Sequence, residues 1–182
     1  MFENSYTFSK CNKTQALNKT YLYETVLYRF STPVDRYTVE LEHYHYSIFV
    51  IKFYRTKDRK NKNKFNIITN EFNCTRIIST CIKILSSVLE QKPLASFGFI
   101  GSYTISDNYT EEKNCTQRFR IYKMVMENLI GETLFHHSMD LIHSTYLMVN
   151  NGNKSPEEVV AKARTMFEKV YPGLDTNLSM VR

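Results

Sequence analysis

The chain has 182 residues, 42% of them hydrophobic and 14% aromatic, with five Gly and four Pro. This composition argues against a disordered chain and against a loop-dominated or repeat architecture. The formal net charge of +6 favours acidic partners such as nucleic acid, a phosphate-bearing cofactor or another polyanion, without choosing among them.

Residues 1–20 are polar and rich in Asn, Lys and Thr, so we predict a flexible arm ahead of a single domain over residues 21–173. A secretory signal has a basic segment followed by an apolar one, and the arm has no such pair of segments. No apolar run in the chain approaches the roughly 18 residues that cross a bilayer. We therefore expect a cytoplasmic protein without a membrane segment, and residues 174–182 are predicted to form a short tail.

Alternating side chains predict two strands over residues 37–46 and 48–56, joined by a turn near residues 46–47. The preceding residues, 21–30, fit a strand or a short helix equally well. After a charged connection, residues 65–69 are predicted to form a third short strand. The first half of the chain is therefore predicted to be mostly antiparallel sheet.

The second half alternates between helices and strands. An apolar stripe predicts a helix over residues 73–91, and an apolar run predicts a buried strand over residues 96–101. A helix capped by Thr116 follows, then a strand over residues 139–150 and a last helix that begins after a capping box at residues 155–158. This order predicts an α+β fold, in which helices flank a central mixed and mostly antiparallel sheet.

The order of elements between residues 37 and 150 resembles the core of the GNAT family of N-acetyltransferases. In that family a three-stranded meander precedes the cofactor-binding helix, and a strand, a second helix and a further strand follow. The resemblance implies a GNAT-like fold and an acyltransferase that uses acetyl-CoA. The ASFGFIG and RFRIYK segments are also similar to those of small uncharacterised bacterial proteins, which implies no activity.

The resemblance assigns a possible cofactor site as well. The family holds the cofactor pyrophosphate on a glycine-rich loop at the start of its first core helix. Here that position reads TNEFNCTR and has no glycine, which leaves open a degenerate domain without catalysis. The residues that the resemblance places near the cofactor are Asn73, Thr75, Arg76 and Asn114.

Three residues are candidates for acid–base catalysis. The Ile121–Tyr122 pair matches the second core helix of the family, which implies that Tyr122 is a general acid near the sulfur of the acyl cofactor. Glu40 and Glu42 alternate onto the less apolar face of their strand, where a carboxylate can deprotonate an amine acceptor. The structural alternatives are core packing for Tyr122 and a solvated strand face for Glu40 and Glu42.

Histidines form the only candidate metal ligands. His43 and His45 are two residues apart on one strand face, and two imidazoles at that spacing can share a metal or supply a general base. The neighbouring pair His136–His137 meets them only if folding brings both together. Because no third ligand has suitable spacing, we predict no metal site.

A basic run defines a second class of function. Its members are Arg55, Lys57, Arg59, Lys60, Lys62 and Lys64, opposed only by Asp58. Such a loop can neutralise phosphates, and aromatic residues on both sides can stack on bases. The alternative function is therefore a basic module that binds nucleic acid or another protein, with homo-oligomers formed through aromatic strands. A solvated hairpin tip is the structural alternative.

Overall fold

The computed structural model of the chain describes residues 4–17, 19–68, 74–106, 108–171 and 179–180. In chain order its strands are β1 (Phe8–Gln15), β2 (Leu22–Ser31), β3 (Arg36–Tyr44), β4 (Ile48–Arg55), β5 (Ser96–Ile100), β6 (Ile105–Ser106), β7 (Tyr109–Thr110), β8 (Phe135–Asp140), β9 (Thr145–Asn150) and β10 (Ser179–Met180). Its α-helices are α1 (Cys74–Gln91), α2 (Gln117–Leu129) and α3 (Pro156–Val170).

Eight strands form one mixed sheet in the order β1-β2-β3-β4-β5-β9-β8-β10, and β6 pairs with β7 in a separate hairpin. Strands β1 to β4 form an antiparallel meander. Only the β4–β5 pair is parallel among the described pairs of this sheet. The prediction of an α+β fold with a mixed, mostly antiparallel sheet is confirmed.

Helices cover both faces of the sheet. The period of two along β4 places Phe49 and Ile51 in the core under α1 and α2, while Ile48 and Val50 pack on the opposite face with α3. The sheet is thus the middle of three layers. No helix in the described ranges is both long and apolar enough to cross a membrane.

The N-terminal segment differs from the sequence prediction. The predicted flexible arm contains strand β1, which pairs antiparallel with β2 and places Phe8 opposite Phe30. Tyr6, just before the strand, is only 7% exposed and stacks on Phe30 with a centroid distance of 5.7 Å. Seven of the eight β1 residues are exposed, so this edge strand lacks the alternation that would reveal it in the sequence.

Two other predicted strands are also corrected. Residues 65–69 form no regular strand as far as they are described: residues 62–66 are turns, and Ile67 makes a single parallel bridge to Ile105. Residues 139–150 contain most of a hairpin, β8–β9, instead of one strand. Its turn begins at Asp140, whose carboxylate accepts the backbone N–H of Ile142 at 2.8 Å.

The predicted tail and helix starts are partly described. Within the tail, β10 pairs with β8, and residues 174–178 and 181–182 lie outside the described ranges. Thr116 caps α2 as predicted, because its hydroxyl accepts the Phe119 N–H at 3.2 Å. Ser155 occupies the cap position of α3, but its side chain makes no capping hydrogen bond. Glu158, the other half of the predicted box, pairs with Lys162 at 2.7 Å instead.

Candidate active site between strands β4 and β5

The central strands β4 and β5 separate after three parallel pairs, the last of which joins Val50 and Gly98. Beyond this point β4 continues against β3 as far as Arg55, and β5 continues against β9 as far as Ile100. The facing edges, residues 51–55 and 99–100, therefore make no ladder with each other. Backbone N–H and C=O groups on such edges need water or a ligand as partner.

A cavity of about 310 Å³ occupies this gap and reaches both faces of the sheet. On the side of α1 and α2 its lining is apolar and includes Phe53, Ile78, Cys81, Phe99, Tyr122 and Met126. On the side of α3 it is polar and includes Lys52, Tyr54, Lys64 and Tyr171. Its lining suits a ligand with an apolar part and a polar part.

Tyr122 lies on α2 and is partly buried at the apolar end of the cavity. Its ring makes an edge contact with Phe99 at a centroid distance of 4.9 Å. Its neighbours on the same helix, Phe119 and Met126, are 0% and 3% exposed and belong to the core. Tyr122 therefore packs against the core, as its structural alternative predicted, and also lines the cavity, while its role as a general acid stays a prediction.

The Tyr122 hydroxyl has no hydrogen-bond partner among the described residues. Burial raises the pKa of Tyr122, and the nearby Arg118 only partly offsets this effect. The hydroxyl is therefore protonated at neutral pH.

Arg118 closes one side of the cavity. Its guanidinium donates hydrogen bonds to the carbonyl oxygen of Phe65 and, at 2.6 Å, to that of Ile67. Asn66 adds a hydrogen bond to the carbonyl of Tyr103 at 2.8 Å. These contacts hold the turns after the basic run against the cavity, so Phe65 and Ile67 line it.

Glu42 is held at the polar end by three donors. Its Oε2 lies 2.6 Å from Lys52 Nζ, 2.9 Å from the Tyr44 hydroxyl and 3.0 Å from the Tyr171 hydroxyl. Burial and the Glu42 charge raise the pKa of Tyr171, which also lines the cavity. Glu42 thus reaches the cavity through Tyr171 and Lys52, which the sequence analysis did not single out.

Glu40 takes part in a different ion pair. Its Oε1 lies 2.7 Å from Lys64 Nζ, and the same ammonium group lies 4.0 Å from the centre of the Tyr54 ring. The carboxylate therefore neutralises Lys64 at the cavity wall. Lys52, a charged residue inside the apolar strand β4, is the sequence signal for this end of the site.

The predicted cofactor residues do not meet at the cavity as far as they are described. Asn73 lies outside the described residues. Thr75 and Asn114 are exposed, and neither lines the cavity. Arg76 turns towards the N-terminal edge, where its guanidinium lies 4.1 Å from the centre of the Tyr6 ring.

The basic run is divided by ion pairs. Arg55 donates to Asp58 at 2.7 Å, and Lys57 lies 2.8 Å from Asp35. Lys64 pairs with Glu40, as described above. The three members that are exposed and have no ion pair among the described residues are Arg59, Lys60 and Lys62. Binding of a polyanion by the run stays a prediction, with these three residues as its available cations.

The two predicted histidine pairs lie apart, because β4, β5 and β9 separate β3 from β8 in the sheet. His43 stacks on Phe49, and His45 stacks on Tyr23. His137 is buried between two partners: its Nδ1 lies 2.6 Å from the Tyr146 hydroxyl, and its Nε2 lies 2.8 Å from a backbone carbonyl. The carbonyl can only accept, so Nε2 carries the proton and Nδ1 accepts from Tyr146. Within the described residues no group of three side chains is arranged to hold a metal.

Comparison with known proteins returned no match among family models, curated proteins or solved structures. A proposal for the function therefore rests on the cavity and the side chains around it.

Proposed function

We propose that the chain binds an acyl-coenzyme A, such as acetyl-CoA, in the gap between β4 and β5 and transfers the acyl group to an amine. The observation that carries this proposal is the cavity between two separated strand edges, with Tyr122 among the residues that line its apolar end. The pantetheine arm of the cofactor is an extended chain with two amides. Such a chain can pair with unpaired strand edges as an added strand does.

The order of elements supports the same proposal. The meander of β2, β3 and β4 is followed by α1, β5, α2 and then β8. The GNAT resemblance implies this order, although it was expected to begin with the strand at residues 37–46, which is β3, one strand after β2. The resemblance also implies a tyrosine on the second helix, where Tyr122 lies.

The proposed acyl transfer uses residues at both ends of the cavity. The amine nitrogen attacks the thioester carbonyl carbon, and the carbon–sulfur bond breaks with its electron pair going to sulfur. The amine proton passes through the Tyr171 hydroxyl to Glu42, and the thiolate takes a proton from solvent. Because a thiol has a pKa of about 8.5, far below that of buried Tyr122, the tyrosine donates a hydrogen bond to the leaving sulfur without losing its proton.

Thermal unfolding with added acetyl-CoA tests the binding step. A ligand that binds only the folded state at 100 times its Kd stabilises it by about 2.7 kcal/mol, which corresponds to a rise of about 5–10 °C in Tm for a chain of this size. The control ligand is adenosine 3′,5′-bisphosphate, which lacks the pantetheine arm and should give a smaller rise. An unchanged Tm at millimolar acetyl-CoA would reject the proposal.

Tyr122→Phe tests the chemical step. We expect the variant to keep the rise in Tm and to release the cofactor thiol about 100-fold more slowly in the presence of an amine acceptor. Tyr109→Phe, which alters an exposed tyrosine outside the cavity, should change neither quantity. A rise in Tm without turnover for any amine would identify a binder that has lost catalysis.

A further inference from the structure

A strip of aromatic rings crosses the end of the sheet opposite the cavity. This aromatic strip consists of Tyr21, Tyr23, His43, His45 and Tyr46. The ring of Tyr23 stacks on that of His45 at 4.6 Å and lies 5.2 Å from that of His43. Tyr21 and Tyr46 make edge contacts with His45 at 5.5 and 6.2 Å. The rings therefore touch in series from one face of the sheet to the other.

Two of the five rings of the strip are exposed to solvent. Tyr23 and Tyr46 are 49% and 42% exposed. Tyr46 and Ser47 form the β3–β4 turn with φ values of 61° and 52°, a left-handed conformation that such turns normally assign to Asn and Gly. Residues held in such conformations cluster at functional sites. The strained turn places the Tyr46 ring outside the core.

Lysines flank the strip on both faces of the sheet. Lys92, at the end of α1, lies 5.4 Å from the ring of Phe49, on which His43 stacks. On the other face, Lys162 lies 5.7 Å from the Tyr46 ring, and Lys169 lies 3.3 Å from the Tyr21 hydroxyl. Lys92 and Lys169 have no ion pair among the described residues, whereas Lys162 forms an ion pair with Glu158 of α3.

We propose that the aromatic strip binds single-stranded nucleic acid. Bases stack on the exposed rings of Tyr23 and Tyr46, and phosphates contact Lys92 and Lys169. Base–aromatic stacking contributes about 1–3 kcal/mol per base and accepts any base, because every base has a π face. A duplex hides those faces, so a single strand is the ligand. A protein partner fits less well, since the cores of protein interfaces are depleted in lysine.

Fluorescence anisotropy with labelled 12-nucleotide probes tests this proposal. The probes are oligo-rU, oligo-dT, a duplex of equal length and an abasic strand with the same phosphates. We expect either single strand to bind at least tenfold more tightly than the duplex or the abasic strand. The two single strands distinguish RNA from DNA as the preferred ligand. Raising the salt concentration should weaken binding, because phosphate contacts release counterions.

Variants locate the binding surface. The double variant Tyr23→Ala/Tyr46→Ala should weaken single-strand binding by about tenfold or more. Tyr23→Leu/Tyr46→Leu keeps apolar bulk but removes the π faces, and should weaken it similarly. Tyr109→Ala removes a 59% exposed tyrosine from the β6–β7 hairpin and should have no effect. Lys92→Gln/Lys169→Gln should reduce the dependence of affinity on salt.

Four results would overturn the proposal. They are no binding of either single strand, equal binding of the abasic strand, unchanged affinity in both folded tyrosine double variants, and loss of affinity only in Lys60→Gln/Lys62→Gln. The last result would place the nucleic acid on the basic run, at the other end of the sheet. Circular dichroism confirms that each variant is folded before its affinity is compared.

Discussion

Gly101 shows how one residue can hold the helix that carries Tyr122. The end of β5 approaches the start of α2 so closely that a methyl group on Gly101 would lie 2.5 Å from Phe119 Cβ and 2.7 Å from Thr116 Oγ1. The Gly101 carbonyl also accepts the Thr116 hydroxyl at 2.7 Å. Only glycine allows this approach, so the position of α2 beside the cavity depends on it.

Gly101→Ala should therefore destabilise the fold. Because overpacking a tight site costs about 1–3 kcal/mol, we expect the free energy of unfolding to fall by about 2 kcal/mol in a urea titration. The matched control is Gly98→Ala, where the nearest atoms would lie 3.5–3.7 Å away at ordinary contact distance. Equal losses in the two variants would contradict the steric explanation.

Protonation of His43 makes the free energy of unfolding depend on pH. Burial lowers the pKa of His43, the charge of Lys92 adds to this effect, and Glu24, 3.6 Å away, opposes it. Lys13, bound to Glu24, also disfavours the protonated imidazole. The folded-state pKa thus lies below the unfolded value of about 6.5, so the unfolded chain binds more protons between the two values. At neutral pH the imidazole in the aromatic strip is uncharged.

Stability should consequently fall as the pH drops below about 6.5, and it should be fully present above that pH. Urea midpoints at pH 7.5 and 5.5 measure the loss in the natural chain and in His43→Gln. The variant should lose less between the two pH values, since glutamine does not titrate. The same loss in both proteins would show that other groups cause the pH dependence.

At the scale of elements, the clearest departure from the sequence prediction is β1. Its side chains are mostly polar and exposed, so neither period two nor apolar content marks it as a strand. What holds it is non-local: the ladder to β2 and the Tyr6 ring on Phe30, with the Tyr6 backbone N–H donating to the Thr80 hydroxyl of α1 at 2.9 Å. The N-terminal segment therefore belongs to the sheet.

Tyr6→Ala tests whether the segment contributes to stability. Truncating a buried aromatic ring costs about 3–5 kcal/mol, so the urea midpoint should fall sharply. The Tyr6 hydroxyl is buried without a hydrogen-bond partner among the described residues, so Tyr6→Phe should be neutral or stabilising. Leu17→Ala, at a position 84% exposed, is the surface control. A flexible arm would instead leave all three variants unchanged.

The helices agree better with their predictions than the short strands do. The apolar stripe of α1, including Ile78, Ile82 and Leu85, is buried as expected. Apolar side chains at helical spacing share one face, and that face packs against the core. The β8–β9 turn was missed since Leu141 and Ile142 are apolar yet exposed there. Local apolar content therefore suggested a continuous strand where Asp140 begins a turn.

At the scale of the whole molecule, the sheet has two different ends. At one end β4 and β5 separate, and the cavity with Tyr122 and Tyr171 opens between them. At the other end the same strands pair, and the aromatic strip surrounds the turn that precedes β4. Acyl transfer and nucleic-acid binding are proposed for opposite ends, so a variant at one end should leave the other function intact.

Local patterns of apolar side chains were enough to predict several elements. These are the three helices, the central β3–β4 hairpin, the buried β5 strand and the α+β class. The sequence also singled out Tyr122 and Glu42, which the structure places at or next to one cavity. Such features follow from local pattern, because burial selects apolar residues at the spacing of the element.

The gap between β4 and β5 depends on tertiary contacts, as does the division of the described charged side chains into those with and without an ion pair. The separation of β4 from β5, the ion pairs that divide the basic run, and the contact of Tyr171 with Glu42 all join residues distant in sequence. No local pattern encodes such pairings, since each depends on how far two elements lie apart after the sheet has formed. The candidate site is therefore a property of the fold, built from residues that the sequence alone could name only in part.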